Sequence, residues 1–213
     1  MTPPTPTRPT STPSAPASAL ERLAVVLRER GGLIASLVDP TPARSRSARP
    51  KTPGDSPRPP ISNGGGPAQL AAAGPRARAR AEEYELLVEA VYEGYLLHYG
   101  APRIVRPPEA DLGLLAGDEL YAFGLARLVA LGDLAAVAEL ADVITLTALA
   151  QGEGRSELAL AVWSAGARAV GWGSSDSHRH AKALARAGEP RALEAMRAAA
   201  QPPWDDESGE AGG

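Results

Sequence analysis

Four polar side chains stand where chemistry could be done. His98 sits at the close of a helical stretch, Asp118 lies within an apolar one, and Gln151 and Glu153 end the next. Each residue type is a candidate ligand or proton carrier, and each has a structural role available. His98 projects at the angle of the apolar stripe of its helix, and Gly100 followed by Pro102 is a common helix stop. A buried imidazole with one hydrogen bond is therefore expected. Asp118 shares a helical face with Leu114, Leu115, Ala122, Leu125 and Val129. A carboxylate on an apolar face is costly unless it is paired or hydrogen-bonded, so Asp118 is expected to anchor one helix to another.

Other clusters are weaker. Asp176, His178 and His180 are close in sequence, but two histidines two apart at a helix start diverge by about 200°, which predicts a solvated N-terminal turn. The run Asn63-Gly64-Gly65-Gly66-Pro67 follows no strand and lacks the lysine of a phosphate loop. The pair Asp205-Asp206 has no ordered scaffold to hold magnesium. The chain has no cysteine and only 3 histidines. Thiol chemistry and Cys-ligated zinc are excluded, and neither a catalytic residue, a metal site nor a cofactor is assigned.

The elements that must position these residues begin near Arg78. Along 81–98, Tyr84, Leu87, Val88, Val91 and Tyr95 share one face, with Glu82, Glu85, Glu89 and Glu93 opposite; one face should be core and the other solvent. Further helices are expected over 109–131, over 133–151 with Asp133 as cap, over 156–172, from Ser175 or Asp176 onward, and over 191–200. No segment alternates as a strand does. The fold class is all-α, a helical bundle of about five to six helices over 79–201.

Upstream the grammar differs. Of 21 prolines 15 precede residue 81, where 12 Lys/Arg face 4 Asp/Glu, whereas 81–213 carries 10 against 21. A basic, Pro/Ser/Gly-rich half thus precedes an acidic folded one. Residues 1–18 and 38–78 are expected to be disordered, 19–37 to hold an isolated amphipathic helix, with Leu20, Leu23, Val26 and Leu27 at helical spacing and its end at Gly31-Gly32, and 202–213 to be a disordered acidic tail. The basic stretch lacks the aromatic interleaving of a nucleic-acid-binding arm, so nucleic acid is not expected as a partner. Neither a signal peptide nor a membrane span of about 18 residues is read, which predicts a cytoplasmic protein.

In order, the helices over 81–151 resemble the polyprenyl synthetase (trans-isoprenyl diphosphate synthase) family. The stretch "LLAGDELYAFGLARLVALGD" (114–133) is similar to that family's helix with a Gly-Asp near its start, which makes Asp118 the matching aspartate. The ending "ALAQGEG" places Gln151 and Glu153 at matching polar positions, and "LLHYG" places His98 at the family's histidine. The resemblance implies part of the isoprenoid synthase fold. It also implies inactivity, because the aspartates that should come after His98 are replaced by Tyr99, Gly100 and Arg103. Where a Lys-Thr pair would grip diphosphate, the chain has Trp163-Ser164. The role implied by the resemblance is an accessory or regulatory subunit, like the small subunit of a heteromeric prenyl diphosphate synthase, or an isoprenoid-binding module. Its partner would be a catalytic synthase subunit or further copies of itself. The alternative is a helical interaction domain with a basic Pro-rich arm, unrelated to isoprenoids.

Overall fold

The computed structural model describes residues 18–40 and 66–201. The expectations for 1–17, for 41–65 and for the tail from 202 lie outside the described residues. Among the described residues the chain is all-α: α1 (Ala19–Arg30), α2 (Gly32–Leu37), α3 (Pro67–Ala73), α4 (Ala81–Tyr99), α5 (Ala110–Ala130), α6 (Leu134–Gly152), α7 (Ser156–Trp172), α8 (Asp176–Arg186) and α9 (Ala192–Ala199). Extended pairing among the described residues is a single antiparallel bridge, Val38 to Val105.

Capping signals set the boundaries much as expected. Asp133 accepts from the Ala136 amide at 3.0 Å to open α6, and Ser175 accepts from the His178 amide at 3.1 Å to open α8. Both side chains satisfy amides that the first helical turn leaves unpaired. Asp133 also receives the Tyr84 hydroxyl at 2.6 Å and Arg76 Nη2 at 2.9 Å. Burial alone would raise the Asp133 carboxyl, but these donors outweigh it and hold the group low. On Tyr84, burial and the same carboxylate push the phenol up to about 12.

Helices α4 to α7 form the centre, with α4 packed on α5 and α6 on α7, and α3 bridging α4 and α7. The α3 seam is a backbone contact. A Cβ on Gly74 would lie 2.2 Å from the Gly171 carbonyl carbon, and one on Gly171 2.4 Å from the Ala71 carbonyl oxygen. Only glycine fits both positions.

The N-terminal part corrects two expectations. The first helix stops at Gly31 and Gly32 as expected, with φ values of +75° and +72°, but 19–37 is not isolated, and a second short helix, α2, follows the break. Leu23, Leu27 and Ile34 are fully or almost fully buried in the common core, and Arg22 pairs with Glu85 of α4 at 2.8 Å. The apolar stripe was legible, but a stripe does not name the surface that covers it. Likewise α3 falls inside the stretch expected to be linker: Pro67 starts it, and its small residues Ala68 and Ala71 are buried. Their value is close approach rather than bulk, so a search for large apolar side chains passes over them.

Candidate functional site

The second half of α4 gathers one group of polar side chains with unusual surroundings. Glu93, placed by helical phase on the solvent side, is fully buried, and Glu89 is nearly so. The loop after α4 folds back over them. One Glu93 oxygen accepts the backbone amides of Arg103 at 2.6 Å, Ile104 at 2.8 Å and Val105 at 3.4 Å, and the other accepts Arg103 Nε at 3.0 Å. Arg103 Nη1 lies 2.6 Å from Glu89 Oε1, and its guanidinium carbon is 5.0 Å from the centroid of the Tyr92 ring. Here Glu93 does for the loop what a neighbouring strand does in a sheet, satisfying consecutive amides that would otherwise be buried without partners. Two carboxyls share one guanidinium. Burial therefore raises the Glu89 carboxyl despite Arg103. Burial would lower the Arg103 guanidinium, but the two glutamates outweigh it and raise the group.

One turn on, the structure brings two of the predicted residues together. His98 Nε2 lies 3.2 Å from Asp118 Oδ1, a close contact that lacks the alignment of a hydrogen bond. The imidazole stacks on Tyr121 with ring centroids 5.3 Å apart and planes 1° from parallel. Gly117 makes the room, since a Cβ there would lie 2.7 Å from the imidazole. Asp118 does link α5 to α4, but it is not buried: its side chain is 69% exposed. Leu114, Leu115 and Val129, which were to enclose it, are themselves exposed, while Gly113, Ala116, Gly117, Leu120, Gly124 and Leu128 face inward. The apolar stripe thus points the wrong face of α5 inward, because close packing on α4 selects small residues over large ones.

Gln151 and Glu153 lie elsewhere. Gln151 Nε2 donates to the Tyr95 hydroxyl at 2.6 Å, and Gln151 Oε1 accepts from Ser156 Oγ at 3.2 Å. Glu153 pairs with Arg155 at 3.2 Å on the rim of an open hollow lined also by Glu157, Leu158, Gly188 and Pro190. Arg155 is spent on the carbonyls of Gly188 and Glu189, at 3.3 and 3.0 Å. Trp163 is buried edge-on against Tyr92, with centroids 4.9 Å apart, and the Ser164 hydroxyl donates to the Leu160 carbonyl at 3.1 Å. Neither side chain is free to grip a phosphate.

A second polar centre joins α6 to α8. His178, expected in a solvated turn, is buried, with Nε2 3.0 Å from Glu139 Oε2. His180 is exposed, so the two rings do diverge. Lys182 Nζ donates to both Glu139 oxygens at 2.9 Å and reaches Asp142 at 2.8 Å, and Arg186 closes on Asp142 as well. Burial would raise the Glu139 carboxyl, but the His178 and Lys182 hydrogen bonds reverse that and bring it down to about 2. Lys182 and Arg186 likewise hold Asp142 low against burial. Sequence carried a signal for this centre: two acids three apart in the otherwise apolar α6, matched by two bases four apart in α8. Among the described residues no three His, Asp or Glu side chains converge as a metal-ligand set. Comparison with known protein families, with characterised proteins and with solved structures finds no match to this chain.

Proposed function

We propose that this chain is a non-catalytic helical protein of the polyprenyl synthetase type, acting as an accessory or regulatory subunit of a prenyl diphosphate synthase. The observation that carries the reading is the fate of the segment after His98. Diphosphate ionisation in the family that the sequence resembles needs carboxylates that bind Mg²⁺. In this chain the corresponding segment carries a guanidinium, Arg103, clamped between Glu89 and Glu93. The carboxylates nearby thus already share a covalently attached cation. The hollows beside Glu153 and along 78–83 are open to solvent, unlike the enclosed apolar channel a prenyl chain needs, so neither supports isoprenoid binding and the accessory role is preferred.

The test is chain elongation with Mg²⁺, an allylic diphosphate and isopentenyl diphosphate. The purified chain alone is expected to form no product, and its addition to an active polyprenyl synthase from the same cell is expected to shift product length or rate. Robust elongation by the chain alone, or no effect on the synthase, overturns the proposal.

A further inference from the structure

We propose that Trp163, Tyr95 and Tyr99 form a path that carries one-electron oxidising equivalents out of the core, with Tyr99 the surface residue that discharges them to a soluble reductant of the ascorbate type. The inference is independent of any isoprenoid role. It starts from where the aromatic rings stand. The chain has 5 tyrosines, and all but Tyr84 join Trp163 and His98 in one connected series. Between centroids, Trp163 meets Tyr92 at 4.9 Å and Tyr95 at 5.6 Å, and Tyr95 meets Tyr92 at 5.9 Å and Tyr99 at 5.6 Å. His98 lies 5.7 Å from Tyr99 and leads on to Tyr121. Rings at these separations are in contact, so an electron passes between neighbouring π systems with no group in between. Every route from Trp163 to Tyr99 runs through Tyr95.

The two ends differ in ways that set a direction. Trp163 is 1% exposed, and its indole N–H is buried with no hydrogen-bond partner among the described residues. An oxidised Trp163 therefore finds no acceptor for its proton, stays a radical cation and draws an electron from the next ring. Burial raises the phenols of Tyr92, Tyr95 and Tyr121, so each holds its proton. At Tyr95 the Gln151 contact brings a donor rather than an acceptor. Tyr99 is 43% exposed and loses its proton to water as it loses the electron. The oxidant is a diffusible one-electron radical of the hydroxyl or carbonate class. With no cysteine in the chain and Met196 fully buried, the sulfur groups that usually intercept such radicals are absent or covered in the described residues. In the net step Tyr99 supplies one electron through Tyr95, the indole is restored and the Tyr99 O–H bond breaks. The resulting phenoxyl takes a hydrogen atom from the reductant, which re-forms the phenol.

The test uses the full chain carrying Trp172→Phe and Trp204→Phe, so that light absorbed by tryptophan and not by tyrosine ejects an electron from Trp163 alone. The Trp163 radical should give way to a tyrosyl radical. Without ascorbate, Tyr99 phenoxyls of two copies should couple through ring carbons ortho to oxygen, the ring hydrogens moving to the two oxygens, to give dityrosine that peptide mapping places at Tyr99. Ascorbate should suppress the cross-link and preserve Trp163 over repeated flashes. Tyr99→Phe, at an exposed position, should abolish the cross-link. Tyr95→Phe, which keeps the ring but interrupts the path, should do the same with the helical circular-dichroism signal retained, and should speed the loss of Trp163. Tyr121→Phe, beyond Tyr99, should leave the yield unchanged. A Trp163 radical that never passes to tyrosine overturns the proposal, as does a cross-link mapped to another tyrosine, a yield indifferent to Tyr95→Phe, or one that requires Tyr121.

Discussion

The two buried polar centres are built from the same residue types in opposite proportion. Around Glu139 and Asp142, two carboxylates meet Lys182, Arg186 and His178; around Glu89 and Glu93, two carboxylates meet Arg103 alone. Both are desolvated, so burial pushes every carboxyl the same way. What each carboxyl itself receives decides the outcome: His178 and Lys182 outweigh burial at Glu139 and bring it down to about 2, while burial outweighs Arg103 at Glu89 and raises it. A buried acid is therefore not one kind of object. Glu139 in the first centre resists protonation, and Glu89 in the second tolerates it.

The sharpest way to break the comparison is Glu93→Ala, which strands the amides of Arg103, Ile104 and Val105 together with the Arg103 guanidinium. A loss of about 3 to 5 kcal/mol is expected in urea unfolding. A loss under about 1 kcal/mol would mean that the loop does not depend on the carboxylate. Glu139→Gln should cost less, about 2 to 3 kcal/mol, because it keeps one acceptor for Lys182.

Acid titration separates the centres by sign. The Glu139 carboxyl is lower in the folded protein than its ordinary 4.5, so its stabilisation is complete above about pH 4.5 and is lost as pH falls toward about 2. Melting curves of wild type across that window should slope steeply, and those of Glu139→Gln less so. Glu89 has the opposite sign, because its folded carboxyl lies above the ordinary value and its ionisation opposes folding as pH rises through that range. Glu89→Gln should accordingly shift stability at neutral pH by no more than about 1 kcal/mol, in either direction. A large loss there would show that Arg103 depends on the full charge of both glutamates.

Asp118→Ala should have the smallest effect, within about 0.5 kcal/mol, because the carboxylate is mostly in water and its contact with His98 is unaligned. A larger loss would make the α4–α5 link a third centre of the same kind.

From 81 onward helix existence and boundaries were legible because caps and glycines are local: Asp133, Ser175 and Gly173 act within one turn of where they stand. The inner face of α5 was not, since Gly113, Gly117 and Gly124 carry no hydrophobic signal although they set how closely α4 can pack. Nor was the burial of Glu93, which depends on a loop ten residues later folding back. Within the site, His98 and Asp118 do meet, but the Asp118 carboxylate lies mostly in water and accepts no hydrogen bond from His98, unlike the buried anchor expected, while Gln151 and Glu153 took unrelated partners. The Glu139–Lys182 pair spans 43 positions, and only the matched spacing of acids and bases on two helices hinted at it.

The docking of α1 and α2 carries a consequence for chain continuity. Leu23, Leu27 and Ile34 enter the core, Asp39 donates its amide to the Ile104 carbonyl at 2.7 Å, and Arg106 returns one to Leu37 at 2.8 Å. The segment therefore binds the rest of the molecule as a ligand would, through an apolar face and a short stretch of paired backbone. Covalent attachment supplies it at an effective concentration on the order of millimolar. A single peptide-bond cut between 41 and 65 leaves all these contacts intact, so the two pieces should copurify and part only on dilution below their mutual dissociation constant.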